Sequence, residues 1–373
     1  MPFEEYKKER EDEMKKVLAM ILALSMVFAL SACGGSKQEA SAKPETPSTS
    51  GESSTTAPAA QEQAPVTIQM TYPPSANATT DLEMQWVRDK VLEATDGKVT
   101  FELYPGSSLA TDKVALDSIM TGTLDSAGIT LNSLAQTIPE LNTRCLPFSF
   151  NDIDHYWRVM RSEEYHEKMN ETFANYGIVY LGNSGNALRG LATTKEIHVP
   201  ADGAGMKMRI MDGTIYQDMY SLWGFGTSTI SFGEVYTAVQ QGVVDGCDAD
   251  LNAMEFMAFG EVCPFYLETM QVIHGICHIV SKDAWDQVTP ENQEKILDIF
   301  RQMEDGVSYD IWENYYDKSM AKMDEWGVKV STLTPEETEL WKSASQPIYD
   351  KYKDVIGEDY YNWYLDLLAK YAD

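Results

Sequence analysis

The sequence predicts an α/β fold in which mostly parallel strands are flanked by helices. Strand-like and helix-like periodicity alternate from residue 66 onward, the pattern expected of a sheet with helices on its faces. A central stretch, Met206 to Asp250, repeats that order around a single arginine. With 373 residues, 43% of them hydrophobic, the chain has room for two domains and a large apolar core.

Taken in order, Val66–Met70 alternates as a first strand and runs into Tyr72-Pro-Pro. Leu82, Trp86, Val87, Val91 and Leu92 give Asp81–Thr95 an amphipathic helical face, closed by Gly97. Val99, Phe101 and Leu103 alternate as a second strand. Thr111 is positioned to cap a helix bearing Val114, Leu116 and Ile119, and a third strand follows at Ser126–Thr130. A helix is expected over about 154–175, then a strand at Ile178–Leu181. Further on, Gln271–Val280 reads as a strand, and Thr289-Pro290-Glu291 opens a helix whose pattern persists to about Trp326. Val328–Val330 is a short strand, Thr334 and Glu337 have capping-box spacing, and aromatic-rich helices close the chain at Tyr360–Tyr371.

In the central stretch Met206, Met208 and Ile210 alternate with Lys207 and Arg209, which puts Arg209 near the end of a strand. α/β sheets present ligand-binding groups at such ends. Ser231 and Glu234 have capping-box spacing for a helix Phe232–Gln241, Gly242 fits its C′ position, and Val243–Gly246 begins another strand.

The run Met206-Lys-Met-Arg-Ile, followed by Phe232-Gly-Glu-Val-Tyr-Thr-Ala-Val-Gln-Gln-Gly-Val-Val-Asp-Gly246, resembles the signature of TRAP-transporter solute-binding proteins. Ile138-Pro-Glu-Leu, Cys145-Leu-Pro-Phe-Ser-Phe150, Tyr104-Pro-Gly and Gly122-Thr-Leu-Asp125 match the same family, and the resemblance covers about residues 66–345. It implies a two-lobed, periplasmic-binding-protein-like fold with a ligand cleft between the lobes and a long bracing helix. The division it implies is 66–187 plus about 271–315 for lobe I, and 188–270 plus about 316–373 for lobe II. The function implied is an extracytoplasmic receptor that closes on a small carboxylated solute and hands it to membrane permease subunits, with no cofactor.

By the same resemblance Arg209 pairs with the ligand carboxylate, a task suited to the planar fork of a guanidinium. Arg189, in Asn186-Ala-Leu-Arg189, is a second cation approaching the ligand, and Phe232 packs an aromatic face on it. Asp212 stands where the family often has Gly or Asn, and there it can accept from a ligand hydroxyl or amine. A looser alignment adds Tyr72 and Thr130 from the first lobe. The chain departs from the family at Asp245-Gly-Cys247-Asp248-Ala249, where an Asn normally contacts the carboxylate and Ala249 cannot; Asp248 is the polar candidate left there. It departs again at Val272-Ile273-His274, which leaves His274 as a candidate and widens the ligand class beyond simple dicarboxylates.

The N-terminus reads as an export signal. Lys15-Lys16 precede an apolar run of about 14 residues, Val17–Leu30, too short for an obvious spanning helix, and Leu30-Ser31-Ala32-Cys33 resembles a bacterial lipobox. Residues 1–32 are therefore expected to be a signal peptide, with Met14 the more natural start, and Cys33 a lipidated anchor on the outer face of the cytoplasmic membrane. The Ser-, Thr-, Ala- and Pro-rich residues 33–65 are expected to form a disordered tether.

A net charge of −29 argues against nucleic acid as a partner and requires any anion site to be locally positive. Cys145, Cys247, Cys263 and Cys277 have no CxxC spacing and are expected to be mostly buried thiols, with one disulfide left open. There is no HExxH pair, and Gly182-Asn-Ser-Gly185 has the wrong spacing for a nucleophile elbow. His274, Cys277 and His278 invite a metal reading, but alternation along a strand sends 277 and 278 to opposite faces. No catalytic or metal residues are therefore assigned. Two alternatives stay open: an extracytoplasmic enzyme on a related scaffold, which turnover of a bound ligand would reveal, and a receptor serving a membrane sensor.

Overall fold

The computed structural model describes residues 64–73 and 78–373. The expected export signal, Cys33 and the tether up to residue 63 lie outside the described residues. All described elements belong to one compact unit, Gln63–Asp373. Among the described residues no helix is long and apolar enough to cross a membrane.

The strands are β1 (Val66–Tyr72), β2 (Val99–Pro105), β3 (Ser126–Thr130), β4 (Ile178–Leu188), β5 (Gly190–Thr193), β6 (Lys207–Ile210), β7 (Gly226–Thr229), β8 (Gly246–Ala249), β9 (Phe265–Glu268), β10 (Ile273–Ser281) and β11 (Lys329–Thr332). They form two sheets, β2-β1-β3-β10-β4 and β11-β9-β5-β8-β6-β7. In the first, β1 runs parallel to β2 and β3, whereas β10 is antiparallel to both β3 and β4. In the second, β6 is parallel to β7 and β8, β9 is parallel to β11, and β5 is antiparallel to β8 and β9. This is the mixed, mostly parallel α/β arrangement that the periodicity predicts.

The chain passes between sheets at three places. β4 hands over to β5 at Arg189, and β9 returns to β10 through residues 269–272. These two crossings are bonded to each other: Arg189 donates its backbone N–H to Val272 O (3.2 Å), and Met270 donates to Arg189 O (2.9 Å). The third is the long helix. Pro290–Gln302 continues through a π turn, Met303–Val307, into Ser308–Trp326. Its first part packs on β4 and the helix Thr79–Ala94; its last part packs on the helix Leu251–Phe256 and on β11. The closing helices, Pro335–Ile356 and Glu358–Lys370, lie against the 3₁₀ segment Pro139–Cys145, and Pro335–Ile356 also packs on Thr214–Leu222.

The π turn is the one irregularity in the long helix that periodicity does not reveal. Its wider turn turns a carbonyl outward, and Arg161 Nε donates to Glu304 O at 2.7 Å. The Glu304 carboxylate is buried and accepts from the backbone N–H of Asn183 on β4 (2.6 Å).

Two expectations need correction. The single helix over 154–175 is two, Ile153–Met160 and Glu163–Ala174, because Ser162 leaves helical geometry and caps the second by accepting from Tyr165 N–H (3.2 Å). The Ser231/Glu234 spacing does not produce a capping box. Ser231 Oγ instead donates to the Glu234 side chain (2.6 Å), and the segment starts as a 3₁₀ turn, Phe232–Glu234, before the short helix Val235–Gln240. The same spacing at Thr334 works as read: Glu337 N–H donates to Thr334 Oγ1 (3.2 Å) while Thr334 N–H donates to the Glu337 carboxylate (2.7 Å).

Gly246 shows how tightly β5 and β8 are pressed. A Cβ there would lie 2.3 Å from Ala192 O and 3.0 Å from Thr193 Cα, both backbone atoms that cannot swing aside. Gly246→Ala is therefore expected to cost about 2 kcal/mol or more. A urea titration read by tryptophan fluorescence should show an earlier midpoint for this variant, whereas an alanine at solvent-facing Gly233, where nothing lies within 4 Å, should change little.

Candidate functional site

Two arginines feel each other's charge at the second sheet, Arg189 just ahead of β5 and Arg209 on β6, and the chain treats them differently. Arg189 sits at the crossing between sheets and is buried. Its Nε donates to Asp248 Oδ1 (2.5 Å), and its Nη2 donates to Asp248 O (2.8 Å) and also to Oδ1 of that carboxylate. Its Nη1 donates to Asp250 Oδ2 (3.1 Å). Burial alone would lower its pKa, but the carboxylates of Asp248 and Asp250 outweigh that and raise it.

Asp248 is fully buried and completes its valence at the same crossing. Its Oδ2 accepts from Tyr220 OH (2.5 Å) and Gln271 Nε2 (2.9 Å). Asp250 uses its other oxygen, Oδ1, to accept from Ala253 N–H (2.9 Å) and so caps the helix Leu251–Phe256.

Arg209 has no such partner. Only 8% of it is exposed, yet among the described residues it forms no ion pair. Its Nε donates to the carbonyl of Ile230 (3.0 Å), and its guanidinium carbon lies 5.6 Å from the centre of the Phe232 ring. Burial lowers its pKa, and the neighbouring positive charge of Arg189 lowers it further. A cation that is largely removed from water, set against a like charge and held by one carbonyl and a ring face, is under-compensated by the protein alone. Phe232 itself is 42% exposed and rests edge-on against Phe259, 5.7 Å between centres.

The first sheet supplies Asn132, from the short helix that follows β3. Its Nδ2 donates to the backbone carbonyl of Asp212, just past the end of β6 (2.8 Å), so one side chain bridges the two sheet systems. Because that bond fixes Nδ2 as the donor, Oδ1 is the acceptor for His274 Nε2 at 3.1 Å, and Nε2 carries the imidazole proton. The His274 pKa is pushed down to about 3 by burial and then by Arg189 and Arg144, so this ring is neutral at pH 7. The Asp212 side chain is exposed.

The remaining sequence candidates are engaged within the first sheet's own structure. Tyr72 is buried and donates to Asp81 (2.6 Å). Thr130 donates its hydroxyl to Asp112 and lies 2.8 Å from Ser133 Oγ, and its backbone N–H donates to Asp112 (3.1 Å). His278 lies with Nε2 2.6 Å from Ser184 Oγ, apart from His274, and among the described residues no group of side chains is placed to hold a metal ion. The four cysteines Cys145, Cys247, Cys263 and Cys277 are free and buried, as expected.

The structure thus gathers Arg209 on β6, Asp248 on β8, Arg189 at the crossing into β5 and Phe232 in the 3₁₀ turn after β7, and joins His274 to Asp212 through Asn132. Asn132, Gln271, Tyr220 and Asp250 belong to this arrangement and were not among the sequence candidates. For Asp250 a signal existed: with Asp248 it forms a period-two pair at the end of a strand, which puts both carboxylates on one face. Behind Asp250 lies a cavity of about 10 Å³, the room of a single water, bounded by Leu188, Glu268, Trp312 and Tyr316.

Residues 71–354 match the family model described as bacterial extracellular solute-binding protein, family 7. The chain belongs to this family. It is a solute-binding receptor of the TRAP type, a family of receptors rather than enzymes. A solute-binding protein of Chromohalobacter salexigens is 27% identical over 266 residues, 70% of this chain and 77% of that protein. Among solved structures, a TRAP periplasmic solute-binding protein of Sulfurospirillum deleyianum with bound succinate is 27% identical with a TM-score of 0.71, covering 81% of this chain and 99% of the other. One from a Sulfitobacter species with bound β-D-galacturonate is 24% identical with a TM-score of 0.73, covering 81% of this chain and 99% of the other.

The buried histidines of the receptor set an acid limit. Burial pushes His278 down to about 3, as it does His274, so between about pH 3 and 6.5 the unfolded chain binds protons there that the folded chain refuses. Stability from this source is complete above pH 6.5 and is lost as pH falls. Glu83 works the other way: burial raises its carboxyl to about 7, so its contribution is present below about 4.5 and lost as pH rises through 7. Burial also lowers His155 and raises Glu268, so three histidines stand against two carboxyls, and the receptor should lose stability on acidification from pH 6 to 4.5. In urea titrations at stepped pH, His278→Asn should reduce that slope by up to about 1.4 kcal/mol per pH unit.

Proposed function

We propose that this receptor captures a small carboxylated solute by closing its lobes, with Arg209 as the carboxylate anchor and Phe232 as the apolar wall beside it. The observation that carries the reading is the unpaired state of Arg209: it is largely buried, within reach of a second arginine's charge, and among the described residues lacks a carboxylate partner. A ligand carboxylate would supply the missing charge through two charge-assisted hydrogen bonds. The ligands held by the Sulfurospirillum and Sulfitobacter proteins, succinate and galacturonate, both carry such a group.

The lobes follow the sheets, with 66–187 and about 271–315 in one and 188–270 and about 316–373 in the other. The two paired crossings at Arg189 and 269–272 serve as the hinge, and Asn132 reaching to the Asp212 carbonyl is a contact of the closed form. Arg189 stands beside the anchor, while Asp212 and His274 are the polar groups at the rim available to the rest of the solute. Thr130, partly exposed at the end of β3, shapes the first lobe's side of the cleft, and the buried Tyr72 supports it from behind. Cys33 tethers the receptor by a lipid to the outer face of the membrane, and the closed form delivers its solute to membrane permease subunits.

Replacing Arg209 by Ala should weaken binding of the cognate acid by roughly 30- to 700-fold, the worth of a charge-assisted pair of about 2–4 kcal/mol. Arg209→Lys should recover only part of it, because an ammonium cannot bond both carboxylate oxygens in one plane. Titration calorimetry measures both. An unchanged dissociation constant for a verified acid ligand in Arg209→Ala would remove the anchor role.

A further inference from the structure

We infer that Asp250 is a specificity-determining residue: with Asp248 it neutralises Arg189, so that Arg209 is left as the free cation of this arrangement among the described residues, and the cleft selects acids with a single carboxylate over dicarboxylates. This rests on the reading of Arg209 as the anchor, and goes beyond it by fixing the charge of the solute.

Two cations stand close enough to act on each other's charge, and a dicarboxylate would be expected to use both. Four of the five N–H groups of Arg189 are already given to protein oxygens, three of them to Asp248 and one to Asp250. Counting charge around the anchor, Arg189 with Asp248 and Asp250 carries −1, which cancels Arg209, and His274 contributes nothing; Arg144, whose charge also reaches His274, is fully buried, bonded to Tyr165 OH and set over the Tyr156 ring, and is left out of the sum because it is not offered to a solute. A monocarboxylate therefore leaves the site at −1. A second carboxylate would bring it to −2 in partly desolvated surroundings, in a chain of net charge −29.

Asp250 is the adjustable part of this balance. Asp248 is locked by Tyr220 and Gln271 as well as by Arg189, so its charge belongs to the fold of the crossing. Asp250 holds one Arg189 N–H at an ordinary 3.1 Å, and its side chain is 16% exposed. Its other oxygen performs a task that a neutral residue can take over, capping the helix Leu251–Phe256. Asn or Ser at this position keeps the cap and removes the charge, freeing Nη1 of Arg189 for a second ligand carboxylate.

The test is titration calorimetry of the full chain with matched pairs that share a carbon skeleton: D-gluconate with D-glucarate, D-lactate with tartronate, and butyrate with succinate. The wild type should bind the monoacid of its preferred pair at least tenfold more tightly than the diacid. Asp250→Asn should reduce that ratio at least tenfold, with Asp250→Ser as a second neutral capping variant, and Asp250→Glu should retain the wild-type preference. A wild type that prefers the diacid, or a ratio unmoved in both neutral variants, overturns the role of Asp250 and leaves the Arg209 reading standing. Full retention of acid binding in Arg209→Ala, or no binding across the panel, overturns the anchor reading and this inference with it.

Discussion

The arrangement around Arg189 is the constraint on which the second sheet and the crossing depend. A buried guanidinium at the point where β4 becomes β5 must be compensated, and the chain does so with Asp248, Asp250 and the hydrogen bonds that Tyr220 and Gln271 add to Asp248. Removing one partner of such a network would leave a buried charge unpaired, at a cost of several kcal/mol. Gln271 sits in the returning crossing, so the network ties both strand connections to β8. Arg209 is left as the exception, a cation held near the network and answered by no carboxylate.

That asymmetry links packing to function. The protein has the means to neutralise an arginine in this sheet, and it uses them one strand away. An unanswered, largely buried cation raises the energy of the empty site and gives an anion something to satisfy on binding. Asn132 adds a polar contact between the sheet systems whose acceptor is a backbone carbonyl, Asp212 O, and whose own acceptor is fixed by a neutral histidine. Its hydrogen bonds do not change with the charge of the solute. In the proposed reading, closure and charge recognition fall to different residues.

Much of the fold was legible in the sequence because its signals are local. Alternation located β1, β2, β3, β6 and β10, and the Thr334–Glu337 capping box formed with both of its bonds. The same spacing failed at Ser231, where a side chain–side chain bond to Glu234 competes with the cap, a choice made by geometry that spacing does not encode. The break at Ser162 and the π turn at Met303–Val307 were hidden for a related reason: both depend on partners distant in the chain or on one residue's departure from the helix. A motif singled out Arg209, Arg189 and Phe232 as candidates from the sequence. The site was not legible at Asn132, Gln271 and Tyr220, whose importance lies in contacts made across tens of residues.

The central claim is that Arg209 is unpaired so that a ligand carboxylate can pair with it. A crystal structure of the receptor with its bound acid tests this most directly. The account predicts both carboxylate oxygens about 2.7–3.0 Å from the Arg209 guanidinium, with the Arg189–Asp248–Asp250 contacts intact. A carboxylate seated on another cation, with Arg209 still bonded only to Ile230 and facing Phe232, would contradict it.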